Sequence, residues 1–199
     1  MVRRPLLVGT GNRDKAAELA QLLDGLPWDI KTLRDYLPVP EPIEDGDTFE
    51  ANALKKARYF CSCFDVWCLA DDSGLIADAL DGAPGVMSAR YAGPDCTYAD
   101  NNAKLLRALS GQNDEQRRAR FVCCAALATP DGLEHCELGI VEGRIADAPR
   151  GTNGFGYDPL FIPEGFDQTF GELDPAVKQR ISHRARAFRK MRDFLERVS

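Results

Sequence analysis

The apolar positions change period from segment to segment, and those changes mark out the elements. Leu6, Leu7 and Val8 form a short continuous apolar run that reads as a buried strand and stops at Gly9-Thr10-Gly11-Asn12. Ala16, Leu19, Ala20 and Leu23 then recur at helical spacing, which predicts a helix capped by Asn12 and ended by Gly25. Leu37 to Gly46 holds three prolines and several acids and reads as a loop. Asp47-x-x-Glu50 has capping-box spacing, with Asp in place of the usual Ser or Thr. Phe49, Ala53, Ala57, Phe60 and Phe64 mark the buried face of the helix that follows.

Val66 to Ala70 predicts another short strand, ending at Asp71-Asp72-Ser73-Gly74, with Leu75 to Leu80 as a candidate further strand. A helix is expected over Tyr98 to Leu109. Arg120 to Thr129 and Leu133 to Val141 flank Pro130-Asp131-Gly132 and predict a β-hairpin. Pro159 to Ile162 is a candidate short strand, and Arg184 to Val198 a last helix with Phe188, Met191, Leu195 and Val198 on one face. Strands alternating with helices, plus an antiparallel hairpin, imply an α/β fold with a mixed sheet. The length of 199 residues suits one domain, 1–199, or two closely joined lobes.

Composition narrows the partners. The 31 acidic and 25 basic residues give a formal net charge of -6. Binding to a nucleic-acid backbone needs a basic surface, so nucleic acid is not expected as the main partner. A local group of Lys and Arg can still hold a small anion. No apolar run approaches the roughly 20 residues of a membrane span, and the N-terminus lacks a signal-peptide apolar region. The expected location is the cytoplasm, with no membrane association. Seven cysteines, an odd number at spacings unlike those of zinc fingers, read as reduced and mostly buried thiols.

Four segments offer chemistry. In Gly9-Thr10-Gly11-Asn12-Arg13-Asp14-Lys15, a glycine-rich turn between strand and helix presents backbone N–H groups and a helix N-terminus to an anion. Asp14 breaks both the dinucleotide fingerprint and the Walker A pattern, so an ordinary tight turn stays open at this stage. In Asp71-Asp72-Ser73-Gly74, side chains alternate across a strand, so one aspartate can face a cleft while its neighbour faces the scaffold. A hard carboxylate there suits Mg²⁺, which takes few protein ligands and leaves positions for substrate phosphate; a polar turn is the plainer alternative. In Gly151 to Pro159, three glycines allow close approach of a ligand. Phe155 and Tyr157 offer faces for a base, and Asp158 an acceptor for a ring N–H. Finally Lys178 and Ser182-His183-Arg184, just before the last helix, supply donors that fit a keto oxygen and leave an exocyclic amine unmatched. A solvated basic segment is the alternative there.

Taken together and in order, these runs resemble the inosine/xanthosine triphosphate pyrophosphatase family, also called the Ham1 or RdgB family. The matching runs are Thr10-Gly11-Asn12-x-x-Lys15, Thr48-Phe49-Glu50-Ala51-Asn52-Ala53, Ala70-Asp71-Asp72-Ser73-Gly74-Leu75, Gly82-Ala83-Pro84-Gly85 with Ser88-Ala89-Arg90-Tyr91, Gly154-Phe155-Gly156-Tyr157-Asp158-Pro159, and Ser182-His183-Arg184. The resemblance implies an elongated mixed α/β fold with two lobes around a central cleft, usually as a homodimer. It implies hydrolysis of deaminated purine nucleoside triphosphates (dITP or ITP, XTP or dXTP) to monophosphate and pyrophosphate, which would keep them out of DNA and RNA. By the same carry-over Thr10, Gly11, Asn12, Arg13, Asp14 and Lys15 hold the triphosphate. Asp72 is the proton acceptor and a Mg²⁺ ligand, and Glu44 the second ligand, with Glu41 and Asp45 close by as alternatives. Ser73, Phe155, Gly156, Tyr157, Asp158, Lys178, His183 and Arg184 match substrate-contacting positions.

The resemblance also implies one Mg²⁺ per subunit, with Mn²⁺ as a candidate substitute. Lys15 and Lys178 are expected to steady the phosphate charge, and His183 and Arg184 the 6-keto oxygen. Two other readings are a Maf-like pyrophosphatase acting on other bases and a non-catalytic nucleotide sensor. Against the first stand Ser182-His183-Arg184 and Phe155-Gly156-Tyr157-Asp158, and against the second the intact Asp71, Asp72, Lys15 and Lys178.

Overall fold

A computed structural model of the chain describes residues 3–199. Six strands form one mixed sheet in the order β2-β1-β3-β4-β5-β6. They are β1 (Pro5–Val8), β2 (Asp29–Thr32), β3 (Trp67–Ala77), β4 (Arg118–Ala128), β5 (Glu134–Ile145) and β6 (Phe161–Pro163). The helices are α1 (Arg13–Leu22), α2 (Phe49–Phe64), α3 (Tyr98–Ala108), α4 (Pro175–Ile181) and α5 (His183–Arg197). β1 pairs in parallel with β2 and β3, and β5 pairs antiparallel with β6. The expected mixed α/β architecture is the one observed.

The described chain divides into two units: residues 3–72, 123–139 and 184–199, and residues 73–122 and 140–183. In the first, one face of the sheet buries Leu6, Val8, Leu69, Cys123, Ala125 and Leu127 against Leu19 of α1, Leu23 just past its end, and Phe188, Met191 and Leu195 of α5. The other face buries Leu7, Cys68, Ala70, Cys124 and Ala126 against Ala53, Ala57 and Phe60 of α2. In the second unit, Leu75, Ala77, Phe121 and Val141 join Leu105 and Leu109 of α3 and its following turn with Tyr157, Leu160, Phe161 and Phe170. Burying each Leu, Val, Met or Phe among them is worth about 1.5–3 kcal/mol.

The sequence-based expectations hold for β1, α1, α2, α3 and the β4–β5 hairpin, whose turn closes with the Thr129 N–H donating to the Leu133 carbonyl at 3.0 Å. Five details differ. The expected strand 66–70 and its candidate successor are one strand, β3, so Asp71-Asp72-Ser73-Gly74 lies mid-strand rather than at a strand end. β3 lies between β1 and β4 in the sheet, its pairing with β1 ends at Leu69, and the strand runs on through the polar residues. α2 is capped by Thr48, not Asp47: Thr48 has extended backbone and its Oγ1 accepts from the Ala51 N–H at 3.1 Å. β2 is unforeseen because its four residues are all half-buried and carry no apolar run. α4 is unforeseen too, though Asp174-Pro175 signals it: Asp174 caps the helix and Pro175 opens it. α5 begins at His183, one residue before the expected start, so His183 joins Arg184 in its first turn. Among the described residues no helix is long and apolar enough to cross a membrane.

Candidate active site

In the first unit the glycine-rich turn leaves β1 through Gly9, whose N–H donates to the Leu69 carbonyl at 2.7 Å. A Cβ at Gly9 would lie 2.8 Å from Phe60 and 2.9 Å from the Cys68 Sγ, which restricts the position to glycine. Thr10 Oγ1 accepts from the Asn12 N–H, and Asn12 Oδ1 accepts from the N–H groups of Asp14 and Lys15 at 3.0 and 3.1 Å. Such a cap is worth about 1 kcal/mol and fixes the turn. Gly11, Arg13 and Asp14 are exposed along it. A Cβ on Gly11 would collide with the Glu41 carboxylate, so the acidic loop leans on the phosphate-binding candidate.

Asp71 and Asp72 diverge across β3 as the alternation requires. Asp71 is fully buried, and its Oδ2 takes Lys15 Nζ at 3.1 Å and Arg184 Nε and Nη2 at 3.4 Å each. Arg184 also pairs with Glu18 through Nη1. Burial works against the Arg184 charge, but Asp71 and Glu18 outweigh it and hold its pKa above the ordinary value. Arg184 thus has at least three of its five N–H donors committed to protein carboxylates.

Asp72 faces α2. Lys56 Nζ lies 3.7 Å from its Oδ1 and 2.8 Å from Glu44 Oε1, and Asn52 Nδ2 donates to its Oδ2 at 3.2 Å. Asn52 Oδ1 accepts from the Gly46 N–H at 2.7 Å, which ties the acidic loop to the same carboxylate. Burial is the main cause that raises the Asp72 pKa; Lys56 and Lys15 oppose it, and Glu44 and Asp71 add to it. Burial likewise disfavours the Lys56 ammonium, yet Asp71, Asp72 and Glu44 raise its pKa overall. Of the three acids in the loop, Glu44 is the one brought to Asp72 through Lys56, while exposed Asp45 pairs with Lys55.

Asn52 and Lys56 were not foreseen. They stand one helical turn apart on the same buried stretch of α2 as Ala53, Ala57 and Phe60. A lysine and an asparagine interrupting an apolar helix face is the signal that could have found them, since buried polar groups need partners.

In the second unit the aromatic turn is built around Asp158. Its Oδ2 accepts from the Phe155 N–H at 2.7 Å and from Lys178 Nζ at 2.6 Å. The Lys178 ammonium also lies 4.6 Å from the Phe155 ring centroid, a cation–π geometry. The two aromatics part ways. Tyr157 is core, its hydroxyl donating to the Ser88 carbonyl at 2.9 Å, whereas Phe155 is half-exposed and is the ring left able to meet a base. Ser73 is half-buried on β3. His183 is buried and stacks on Phe121 with centroids 4.6 Å apart and an 11° tilt.

The glycine-rich turn, the paired carboxylates, the aromatic turn and the Ser182-His183-Arg184 run occur in one chain whose sequence matches the Ham1 family model over residues 6–194. The chain belongs to the Ham1 family. A dITP/XTP pyrophosphatase of Geobacter sulfurreducens is 48% identical over 190 residues, covering 96% of each chain. Two solved Ham1 proteins share its fold. That of Coxiella burnetii has a TM-score of 0.89 at 39% identity and covers 98% of this chain and 99% of its own. That of Staphylococcus aureus has a TM-score of 0.89 at 35% identity, with 98% and 100% covered. Among the described residues no three His, Cys, Asp or Glu side chains converge into a metal cage.

Proposed function

We propose that this Ham1 protein hydrolyses deaminated purine nucleoside triphosphates, dITP and XTP above all, to the monophosphate and pyrophosphate. The carrying observation is the buried carboxylate Asp72, held by Asn52 and Lys56 beside Glu44, in the unit that also contains the glycine-rich turn. The name of its Geobacter sulfurreducens relative supports the substrate class.

Mg²⁺ fits the residues present. The pair Glu44 and Asp72 offers hard oxygen donors with no His or Cys, and Mg²⁺ is ordinarily held by one or two carboxylates together with substrate phosphates rather than by an all-protein cage. When bound, the ion supplies neutralisation of the charge on the phosphates. Mn²⁺ has the same oxygen preference and is the substitute to try.

The side chains divide the remaining work. Thr10 to Lys15 hold the triphosphate, with Lys15 supplying the charge, and the Glu41 carboxylate gives way to it. Asp72 takes the proton of the water that attacks the α-phosphorus. Lys15 and Lys56 steady the equatorial oxygens. Lys178 is held by Asp158 next to Phe155, and this favours a role at the base over the phosphate role expected from the sequence. Phe155 stacks on the base, with Gly156 and Asp158 shaping the turn, and Ser73 and His183 complete the substrate contacts. Arg184 orients Asp71 and thereby Lys15, whatever donors it adds to the 6-keto oxygen. A homodimer in the cytoplasm completes the reading.

Two measurements test it. Asp72→Asn is expected to lower kcat by at least about 100-fold, the usual scale for losing a positioned base; near wild-type turnover would remove Asp72 from the chemistry. Comparison of kcat/KM for ITP, XTP, GTP and ATP tests the base preference, and equal values would refute it. A nucleotide sensor would bind ITP without releasing pyrophosphate.

A further inference from the structure

α3 presents two side chains one turn apart to the aromatic turn. Asn102 is buried, and its Nδ2 donates to the Gly156 carbonyl at 3.0 Å. Tyr98 stands four residues earlier, with its ring centroid 6.1 Å from that of Phe155. Gly156 has φ +63, a left-handed conformation with no side chain to hold it. The bond from Asn102 is therefore a side-chain tether on the one residue that links Phe155 to the core residue Tyr157. The Phe155 N–H is tethered from the other side by Asp158. Asn102 Oδ1, by contrast, is buried with no hydrogen-bond partner among the described residues. An unsatisfied buried acceptor costs about 1–3 kcal/mol, so the amide is a poor choice for stability alone, and what it supplies is the bond to Gly156. The neighbouring Asn101 is different: both ends of its amide are used, accepting from the Ala92 N–H at 2.7 Å and donating to the Ala89 carbonyl at 3.1 Å.

We propose that Asn102 is a positioning residue for base recognition, holding the Gly156 peptide so that the Phe155 ring is presented at a fixed angle to the purine. This rests on the reading of Phe155 as the stacking ring. Asn102 acts through its bond to the Gly156 carbonyl, so its loss raises KM for the nucleotide and leaves the chemical step in place.

The experiment is steady-state kinetics of Asn102→Ala and Asn102→Leu with ITP, beside inhibition of the same reaction by inorganic tripolyphosphate, which has no base. The expected result is a KM raised about 10-fold, with kcat within about 2-fold and tripolyphosphate inhibition unchanged. An unchanged KM overturns the proposal. So does a collapse of kcat, or a parallel weakening of tripolyphosphate, because either shows that Asn102 serves the fold at large. Phe155→Ala is measured alongside. If it leaves KM for ITP unchanged, the stacking reading fails; if it raises KM while the Asn102 variants do not, only the inference about Asn102 fails.

Discussion

Asp71→Asn is the substitution through which the scaffold beneath the phosphate turn is best tested. The side chain is fully buried, and one of its oxygens takes both Lys15, at 3.1 Å, and Arg184, at 3.4 Å. Asparagine keeps the shape and removes the charge. Removing one partner of a buried ion pair costs about 3–5 kcal/mol because the other charge stays buried and uncompensated. Arg184 retains Glu18, which places the expected loss at the lower end, about 3 kcal/mol. At about 2–4 °C per kcal/mol for a chain of this size, Tm should fall by about 6–12 °C. Lys15, freed from its anchor, should also lose affinity for phosphate, raising KM for ITP by about 10-fold, or about 1.4 kcal/mol. The assay is thermal and urea denaturation of Asp71→Asn, of Arg184→Met and of the double variant. Arg184→Met should cost less in the Asp71→Asn background than in the wild type, since its Asp71 partner is already uncharged. A single-variant loss below about 1 kcal/mol, or strict additivity in the double variant, would refute the ion-pair argument.

Other substitutions separate the parts of the site. Lys56→Met takes the cation from between Glu44 and Asp72, so Mg²⁺ should raise Tm by more in the variant than in the wild type; equal increments in differential scanning fluorimetry would contradict the pairing. Gly11→Ala displaces only the flexible end of Glu41, so stability should change by less than about 1 kcal/mol while KM rises, as steady-state kinetics would show. Gly154→Ala combines φ +72 with a Cβ that meets the Asp158 carboxylate, and should cost about 1–3 kcal/mol by denaturation.

The elements that could be read from the sequence were those with a long period or a strong punctuation. α2 and α5 bury full apolar stripes, and the β4–β5 hairpin is set off by Pro130-Asp131-Gly132. β2 and α4 were hidden because four half-buried residues and a seven-residue helix carry too little periodicity. Asp71-Asp72-Ser73-Gly74 misled because local polarity suggests a turn, whereas the four residues are buried or half-buried inside one long strand. At the candidate site, local chemistry marked Lys15, Asp72 and the aromatic turn. It could not assign partners: that Lys178 goes to Asp158, Arg184 to Asp71, and Lys56 to Glu44 and Asp72 depends on contacts 12 or more residues apart in sequence. Tyr157 and Phe155 are equivalent as residue types and differ only in what packs over them.

Hydrolysis of dITP in ¹⁸O-labelled water tests the central claim most directly. With Mg²⁺ present and Asp72 directing water to the α-phosphorus, the label should appear in dIMP, with unlabelled pyrophosphate released in equal amount. Label in pyrophosphate, or release of orthophosphate with a nucleoside diphosphate, would place the attack elsewhere and contradict the account.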